Sequence, residues 1–397
     1  MTLEQSLSSL RRGLTDLVSE EELRAKLRRG SPLRVKLGVD PTSPDIHLGH
    51  TVVLNKLRCF QDMGHVAVLI IGDFTAQVGD PSGQDRTRPV LSWEDIQANA
   101  VTYQSQAFKF LDPSRTELRF NSEWLAPVFR LDRFIPRDSV LNRFLTDYSV
   151  FRLLEREEFS KRREAGGTVT LAEILYPLLQ AYDSVAVRSD VELGGSDQIF
   201  NLLMGRQMQK DFGQEPQAVM TLPLLIGTDG VKKMSKSYGN AVALNDSPQE
   251  MFGKIMSVSD EQMMSYYELL TQTELDSVKG RHPKEAKLEL GQILVTAFHG
   301  SEAAREARAA FEKVFSKKEL PEEMTVFKIS RPGMSWVDVL VESGMAPSRN
   351  EARRLLSQGG VKLDGRPVAQ DGPVRIGGDS VLQVGKRQFR RVVAYGG

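Results

Sequence analysis

RVKLGVDPTSPDIHLGHTVVLNKL, residues 34–57, reads as a strand, a turn and the opening of a helix. RVKLGVD is a strand candidate stopped by the turn-rich PTSPD, and Val53, Leu57 and Phe60 then recur at i, i+4 and i+7, the period of a helix with one apolar face. That helix is expected to end near Gly64, and VAVLIIGD (66–73) follows as an apolar run of the buried-strand kind. Strand, helix and strand in this order form a βαβ unit, which implies a parallel sheet. Further strand candidates are ELRFN (117–121), VAVRSDVEL (185–193) and AVMTLPLL (218–225), separated by helical stretches such as WEDIQANAVTYQSQAFKFL. The expected body is therefore α/β and doubly wound.

Composition sets outer bounds. A chain of 397 residues is too long for one ordinary core and suggests two to three domains. With 40% hydrophobic and 26% charged residues it has the make-up of a globular protein. Its single cysteine, Cys59, has no internal disulfide partner, which fits a reducing, cytoplasmic setting. The N-terminal MTLEQSLSSLRRGLTDL mixes charge with leucine at helical spacing and is neither a signal peptide nor a membrane span.

Beyond the sheet, residues 248–315 carry helical period throughout (MFGKIMSV, EQMMSYYELL, AKLELGQILVTAFHG, EAAREARAAFEKVF) and no convincing strand. After the charged KKELPEEM come short strands and one amphipathic helix, SRNEARRLLSQG, then VKLDGRPV, DSVLQVGK and QFRRVVAY, a small α+β domain. The expected division is an N-terminal helical segment at 1–32, a Rossmann-like parallel-sheet domain at 33–225, a linker loop at 226–250, an all-helical domain at 251–320 and the α+β module at 333–397. Net charge over the chain is zero, yet from Arg331 onward eleven Lys and Arg face six Asp and Glu. A basic module on a neutral body suits RNA binding, and a solvated charged tail is the plainer alternative.

His47 and His50 lie three apart at a helix start, where unpaired N–H groups and a partial positive charge favour phosphate. Imidazoles add donors, and Gly49 between them lets a flat base approach the backbone. The pair also reads as simple helix caps, or as metal ligands, although His65, His282 and His299 are scattered and no cysteine cluster accompanies them. Far downstream, GTDGVKKMSKSYGN (227–240) is a glycine-punctuated loop with Lys233 and Lys236, suited to a leaving group that gains charge late. Between the two stretches, YPLLQAYDSV puts Tyr176, Gln180 and Asp183 at i, i+4 and i+7, a polar stripe among apolar neighbours, and GDFTAQVGDPSG supplies Asp80. A buried polar stripe needs a partner, either a structural network or a ligand.

H-x-G-H opening a helix, followed by a literal KMSKS, resembles the paired signatures of class I aminoacyl-tRNA synthetases, and the Y-x-x-x-Q-x-x-D stripe with GDPSG and VELGGSDQIFN (191–201) resembles the tyrosyl-tRNA synthetases from about residue 33 onward. The resemblance implies a tyrosine–tRNA ligase that forms tyrosyl-adenylate from L-tyrosine and ATP, with Mg2+ on the phosphates and no tightly held metal. It then transfers tyrosine to the 3′-terminal adenosine of its tRNA. It assigns Asp80, Tyr176 and Gln180 to the substrate ammonium, Asp183 to the phenol and Gln198 to the amino-acid pocket. Asp40, Thr42, Gly49, Asp197 and Ser237 fall to ATP, His47 and His50 to its phosphates, and Lys233 and Lys236 to pyrophosphate.

Two positions depart from the family pattern. Lys36 stands in the tyrosine pocket's usual tyrosine position, and Gln84 stands for a lysine, with Arg86 and Arg88 as replacement cations. The C-terminal module resembles the RNA-binding fold of ribosomal protein S-four, with Arg349, Arg353, Arg354 and Lys362 facing RNA. With the helical domain it is expected to grip the tRNA. The family further implies a homodimer with its contact in an inserted region around 120–165, where Trp124, Phe129 and Phe151 lie, and no membrane contact. A tryptophanyl-tRNA synthetase and a non-catalytic structured-RNA-binding protein on the same scaffold are the alternatives.

Overall fold

The computed structural model describes residues 2–82, 91–130, 135–316 and 324–394, except 369, 375, 377, 386 and 387 and the side chains of 157 and 314–316. It divides into two compact units, residues 1–308 and 309–397.

The first unit is built on a six-stranded sheet: β1 (Asp16–Val18), β2 (Arg34–Val39), β3 (Val66–Ile71), β4 (Thr116–Phe120), β5 (Val191–Gly195) and β6 (Ala218–Leu222). Their order is β1-β6-β5-β2-β3-β4, parallel except for β1, which runs antiparallel to β6. β3 buries Ala67 through Ile71 without interruption, as a strand covered by helices on both faces must. The helix Leu48–Asp62 connects β2 to β3 and buries Leu54, Leu57 and Phe60 on the sheet, so the opening βαβ unit stands where the sequence places it. The helix Leu171–Val187 begins on a reciprocal cap. Thr170 Oγ1 accepts from the Glu173 N–H at 3.3 Å, and Glu173 Oε2 accepts from the Thr170 N–H at 2.9 Å.

Three expectations need correction. Residues 185–187 are the last turn of that helix rather than the start of a strand; Arg188 stops it in a left-handed conformation (φ 50°), and β5 begins at Val191. β1 is a strand inside the segment expected to be helical only. The helical region up to Arg308 belongs to the same compact unit as the sheet, where a separate domain from residue 251 was expected. The bonds explain why. Arg12 donates to the carbonyls of Glu268 and Thr273, Tyr266 Oη donates to the Ile226 carbonyl at 2.7 Å, and Gln262 Nε2 donates to the Gly227 carbonyl at 2.7 Å.

The second unit carries a five-stranded sheet, β7 (Val326–Lys328), β8 (Val361–Leu363), β9 (Arg366–Pro367), β10 (Ser380–Val384) and β11 (Gln388–Val393), in the order β7-β11-β10-β8-β9. Two helices pack on it, Trp336–Glu342 and Arg349–Ser357, where one was expected. Val337, Leu340, Leu356, Val361, Leu382 and Val392 form its core. Among the described residues no helix is long and apolar enough to cross a membrane.

Candidate active site

Strand order reverses between β2 and β5: β2 leads to β3 and β4 on one side, while β5 and β6 lie on the other. Open α/β sheets leave a crevice beyond the carboxyl ends of the strands at such a point. A cleft of about 610 Å³ opens there. Asp40 and Thr42 reach it from the end of β2, His47, Gly49 and His50 from the next helix start, and Asp197 and Gln198 from the end of β5. Asp80, the stripe Tyr176, Gln180 and Asp183, and the loop residues Lys233, Lys236 and Ser237 complete the wall. Side chains separated by nearly two hundred residues thus face one space.

One end of the cleft is acidic and tightly wired. Asp183 is 3% exposed, and its carboxylate accepts from Trp124 Nε1 at 2.8 Å and from Asn121 Nδ2 at 3.4 Å. Burial pushes its pKa up to about 6, against the pull of the Lys36 charge and of those two donors. Tyr176 Oη donates to Asp40 Oδ2 at 2.8 Å, and the other oxygen of Asp40 accepts from Thr75 Oγ1 at 2.8 Å. Burial, then the negative Asp40 and Asp80, hold the Tyr176 phenol well above its ordinary range. Gly72 makes this packing possible, because a Cβ there would stand 2.0 Å from Asp40 Oδ1. Asp80 accepts from the Ser82 N–H at 2.9 Å and from Gln198 Nε2 at 2.8 Å. A pocket with three nearby carboxylates and a neutral phenol favours a cation bearing N–H donors, and the buried Asp183 favours a further donor at its far end.

The other end offers donors to an anion. His47 caps the helix Leu48–Asp62: its Nδ1 accepts from the Gly49 N–H at 3.1 Å, and His50 Nδ1 accepts from the His47 N–H at 3.3 Å. The capping reading is the one these bonds show. With Nδ1 accepting, each neutral ring carries its proton on Nε2. The rings are neutral: burial, then the neighbouring His50 and Lys236 charges, push His47 down to about 3, and burial pushes His50 down to about 4. A Cβ at Gly49 would lie 2.9 Å from the His47 ring, so the cap requires glycine there.

The 227–240 loop closes over this end. It is folded on itself by Ser235 N–H to Asn240 Oδ1 at 2.8 Å and Asn240 Nδ2 to Asp229 Oδ2 at 2.9 Å. Lys233 Nζ lies 3.4 Å from Asp197 Oδ2, and exposed Lys236 pairs with Asp45. Burial raises the Asp197 pKa, which Lys233 opposes, while the hydrogen bond from Lys236 lowers that of Asp45.

Lys36 is a correction. It does not line the cleft: fully buried, its Nζ donates to Glu192 Oε1 at 2.7 Å, Ser184 Oγ at 2.8 Å and the Gln180 carbonyl at 3.2 Å. Lys36 and Glu192 are register partners on β2 and β5, so the pair lies within the sheet layer behind the stripe. Trp124 and Phe129 are half-buried and pack against the core, Phe129 stacking on Phe74 with ring centres 5.5 Å apart, whereas Phe151 is 84% exposed. Gln84, Arg86 and Arg88 lie outside the described residues. In the second unit Arg349, Arg353, Arg354 and Lys362 are exposed on the helix Arg349–Ser357 and on β8. Arg349 pairs with Asp338 at 2.5 Å and Arg354 with Glu351 at 2.6 Å. Sequence reading missed Asn121, Ser82 and Asn201, and gave Trp124 no role at the site.

Residues 28–316 match the family model described as tRNA synthetases class I (W and Y), and residues 337–381 match the S4 domain. The chain is 52% identical to a tyrosine–tRNA ligase of Thermotoga maritima over 99% of its length and 98% of that protein's. It is 48% identical to one from Aquifex aeolicus over 99% and 100%. Among solved structures, a C-terminally truncated mitochondrial tyrosyl-tRNA synthetase of Aspergillus nidulans superposes with a TM-score of 0.65, at 21% identity, over 79% of this chain and 94% of its own. The reversal point of the sheet, the H-x-G-H helix start, the KMSKS loop and these full-length matches agree: the chain belongs to the tyrosine–tRNA ligases, within the class I aminoacyl-tRNA synthetases.

Proposed function

We infer that this protein activates L-tyrosine with ATP and transfers it to the 3′-terminal adenosine of its tRNA. The observation that carries the amino-acid choice is Asp183, a buried carboxylate held by Trp124 and Asn121 at the far end of the cleft. A phenolic O–H supplies the donor that a buried carboxylate needs, and phenylalanine leaves it unmet, at a cost of about 1–3 kcal/mol or more. Asp80, Tyr176 and Gln180 hold the ammonium, with Gln198 beside them. Asp40 and Thr42 edge the nucleotide site, Gly49 admits the adenine, and Asp197 and Ser237 complete the ATP contacts.

The tyrosine carboxylate attacks the α-phosphorus in line, its oxygen forming the new P–O bond as the bond to the β-phosphate oxygen breaks and pyrophosphate leaves. No side chain acts as nucleophile. His47 and His50 donate from Nε2 to the phosphate oxygens, and Lys233 and Lys236 exchange Asp197 and Asp45 for the departing pyrophosphate. Magnesium arrives on the phosphates as part of the nucleotide substrate. Arg349, Arg353, Arg354 and Lys362 face the phosphates of the tRNA. We place this in the cytoplasm, in a homodimer joined through the 120–165 region, where Leu145, Val150 and Phe151 are exposed.

The test is exchange of labelled pyrophosphate into ATP with purified protein and Mg2+, comparing tyrosine, phenylalanine and tryptophan without tRNA. Exchange with tyrosine alone is the expected result. Exchange with tryptophan would overturn the role of Asp183, and none with any of the three would overturn the ligase reading.

A further inference from the structure

Arg156 is a deeply buried cation beside the cleft that no step above uses. It is the N-cap residue of the helix Glu157–Glu164, within the 120–165 region, and is 4% exposed. Its guanidinium carbon lies 5.2 Å from the ring centre of Phe200 and 5.4 Å from that of Phe159. Nη2 donates to Ser82 Oγ at 2.7 Å and Nη1 donates to Asn201 Oδ1 at 3.1 Å, while Glu158 Oε2 stands 3.7 Å from Nε. Burying a guanidinium is costly, so a site that does so gains from what it organises.

What it organises follows from donor and acceptor counting. A guanidinium has donors only, so Asn201 must turn its oxygen toward Arg156. The NH2 end of Asn201, wholly buried, then donates to Gln180 Oε1 at 2.9 Å and Gln198 Oε1 at 3.2 Å. With its oxygen so engaged, Gln198 turns its own NH2 to Asp80 Oδ2 at 2.8 Å. Ser82, whose hydroxyl accepts from Arg156, binds the other oxygen of Asp80 through its backbone N–H at 2.9 Å. One buried cation thus sets the orientation of three amides and anchors both flanks of a carboxylate.

We propose that Arg156 is a positioning residue that, through Ser82 and Asn201, aims Asp80, Gln180 and Gln198 at the ammonium group of the amino-acid substrate. The proposal rests on the tyrosine reading of the cleft. It also means that the 120–165 region reaches into amino-group recognition and is more than a surface for a second copy.

The test compares L-tyrosine with 3-(4-hydroxyphenyl)propionate, which keeps the ring, phenol and carboxylate and lacks only the ammonium. Binding of each to the full chain is measured by calorimetry for the parent, Arg156→Met, Arg156→Lys and Asn201→Asp. Arg156→Met removes the donors and keeps a stem against Phe200. Asn201→Asp keeps the partner of Arg156 and replaces only the NH2 end with an acceptor. Misaiming the charge-assisted bonds to the ammonium should weaken tyrosine about tenfold in Arg156→Met and Asn201→Asp, with the propionate changed by less than about twofold. Arg156→Lys, still a donor without acceptors, should recover most of the loss. Equal weakening of both ligands in Asn201→Asp, or tyrosine binding unchanged in both variants, would overturn the proposal. A parent protein that does not bind tyrosine more tightly than the propionate would instead count against the tyrosine reading itself.

Discussion

Replacing Asp183 with asparagine should stabilise the fold and damage selectivity at once. The folded-state pKa of Asp183 is about 6, raised from 3.8 by burial. Between those values the folded chain holds a proton that the unfolded chain has lost, so stability falls as pH rises through this window and the loss is complete above it. At 1.36 kcal/mol per pKa unit, keeping the empty carboxylate ionised at neutral pH costs roughly 3 kcal/mol. The asparagine side chain would carry no charge, and its oxygen can still accept from Trp124 Nε1. Asp183→Asn should therefore melt at a higher temperature than the parent at pH 7.5, with the gain gone at about pH 4.

The same change removes a charge-assisted bond to the phenol, which is worth about 1.5–3 kcal/mol, or roughly 10- to 150-fold in kcat/KM for tyrosine. Phenylalanine makes no such bond and should lose nothing, so the tyrosine-to-phenylalanine ratio falls while the KM for ATP holds. The parent's kcat/KM for tyrosine should itself decline below about pH 6 as Asp183 takes up its proton. Pyrophosphate exchange from pH 5 to 8, with thermal melts at pH 4 and 7.5, reads all three effects. An unchanged selectivity ratio in the variant would refute the reasoning, and so would a flat tyrosine profile across pH 6 in the parent.

Three other outcomes follow from the geometry. Because His47 and His50 remain neutral down to about 3 and 4, the KM for ATP should show no step near pH 6.5, where an ordinary histidine titrates; the exchange assay at varied ATP checks it. Lys36→Met leaves Glu192 buried without its cation and should cost about 3–5 kcal/mol in a denaturant melt, whereas a cost below about 1 kcal/mol would show the pair to be dispensable. Removing residues 333–397 should leave tyrosine-dependent exchange intact, since every cleft residue lies in the first unit, and should weaken aminoacylation of tRNA.

The legible parts of this protein are those whose signal is local. The βαβ opening is written in helical period and an unbroken apolar strand, and the stripe Tyr176, Gln180, Asp183 needs only a count of three and four. What escaped is set by contacts across the sheet. Asn121 and Trp124 follow β4, two strands away from β2, and nothing in their neighbourhood says that they reach the Leu171–Val187 helix. Lys36 lies on a strand buried on both faces, where alternation gives no direction, and its partner Glu192 is fixed only once β2 pairs with β5. The helix Trp336–Glu342 was hidden by three valines, which favour strands, although Ser335 and Asp338 are a cap signal: Ser335 Oγ accepts from the Asp338 N–H at 3.2 Å.

The charge layout of the cleft also answers a problem that ATP poses. A site with free cations for triphosphate would repel the substrate ammonium, and a site with free carboxylates for the ammonium would repel the triphosphate. On the proposed mechanism the histidines would meet phosphate as neutral donors, adding no field at the acidic end and needing no proton uptake on binding. The lysines lie against carboxylates, Lys233 on Asp197 and Lys236 on Asp45, so their charge is compensated until phosphate competes for it. The exposed pair of Lys236 with Asp45 is the cheaper to break, since a surface ion pair is worth about 0–1 kcal/mol. On the proposed mechanism Lys236 would therefore be the first ammonium to exchange its carboxylate for the departing pyrophosphate, with the half-buried Lys233 following.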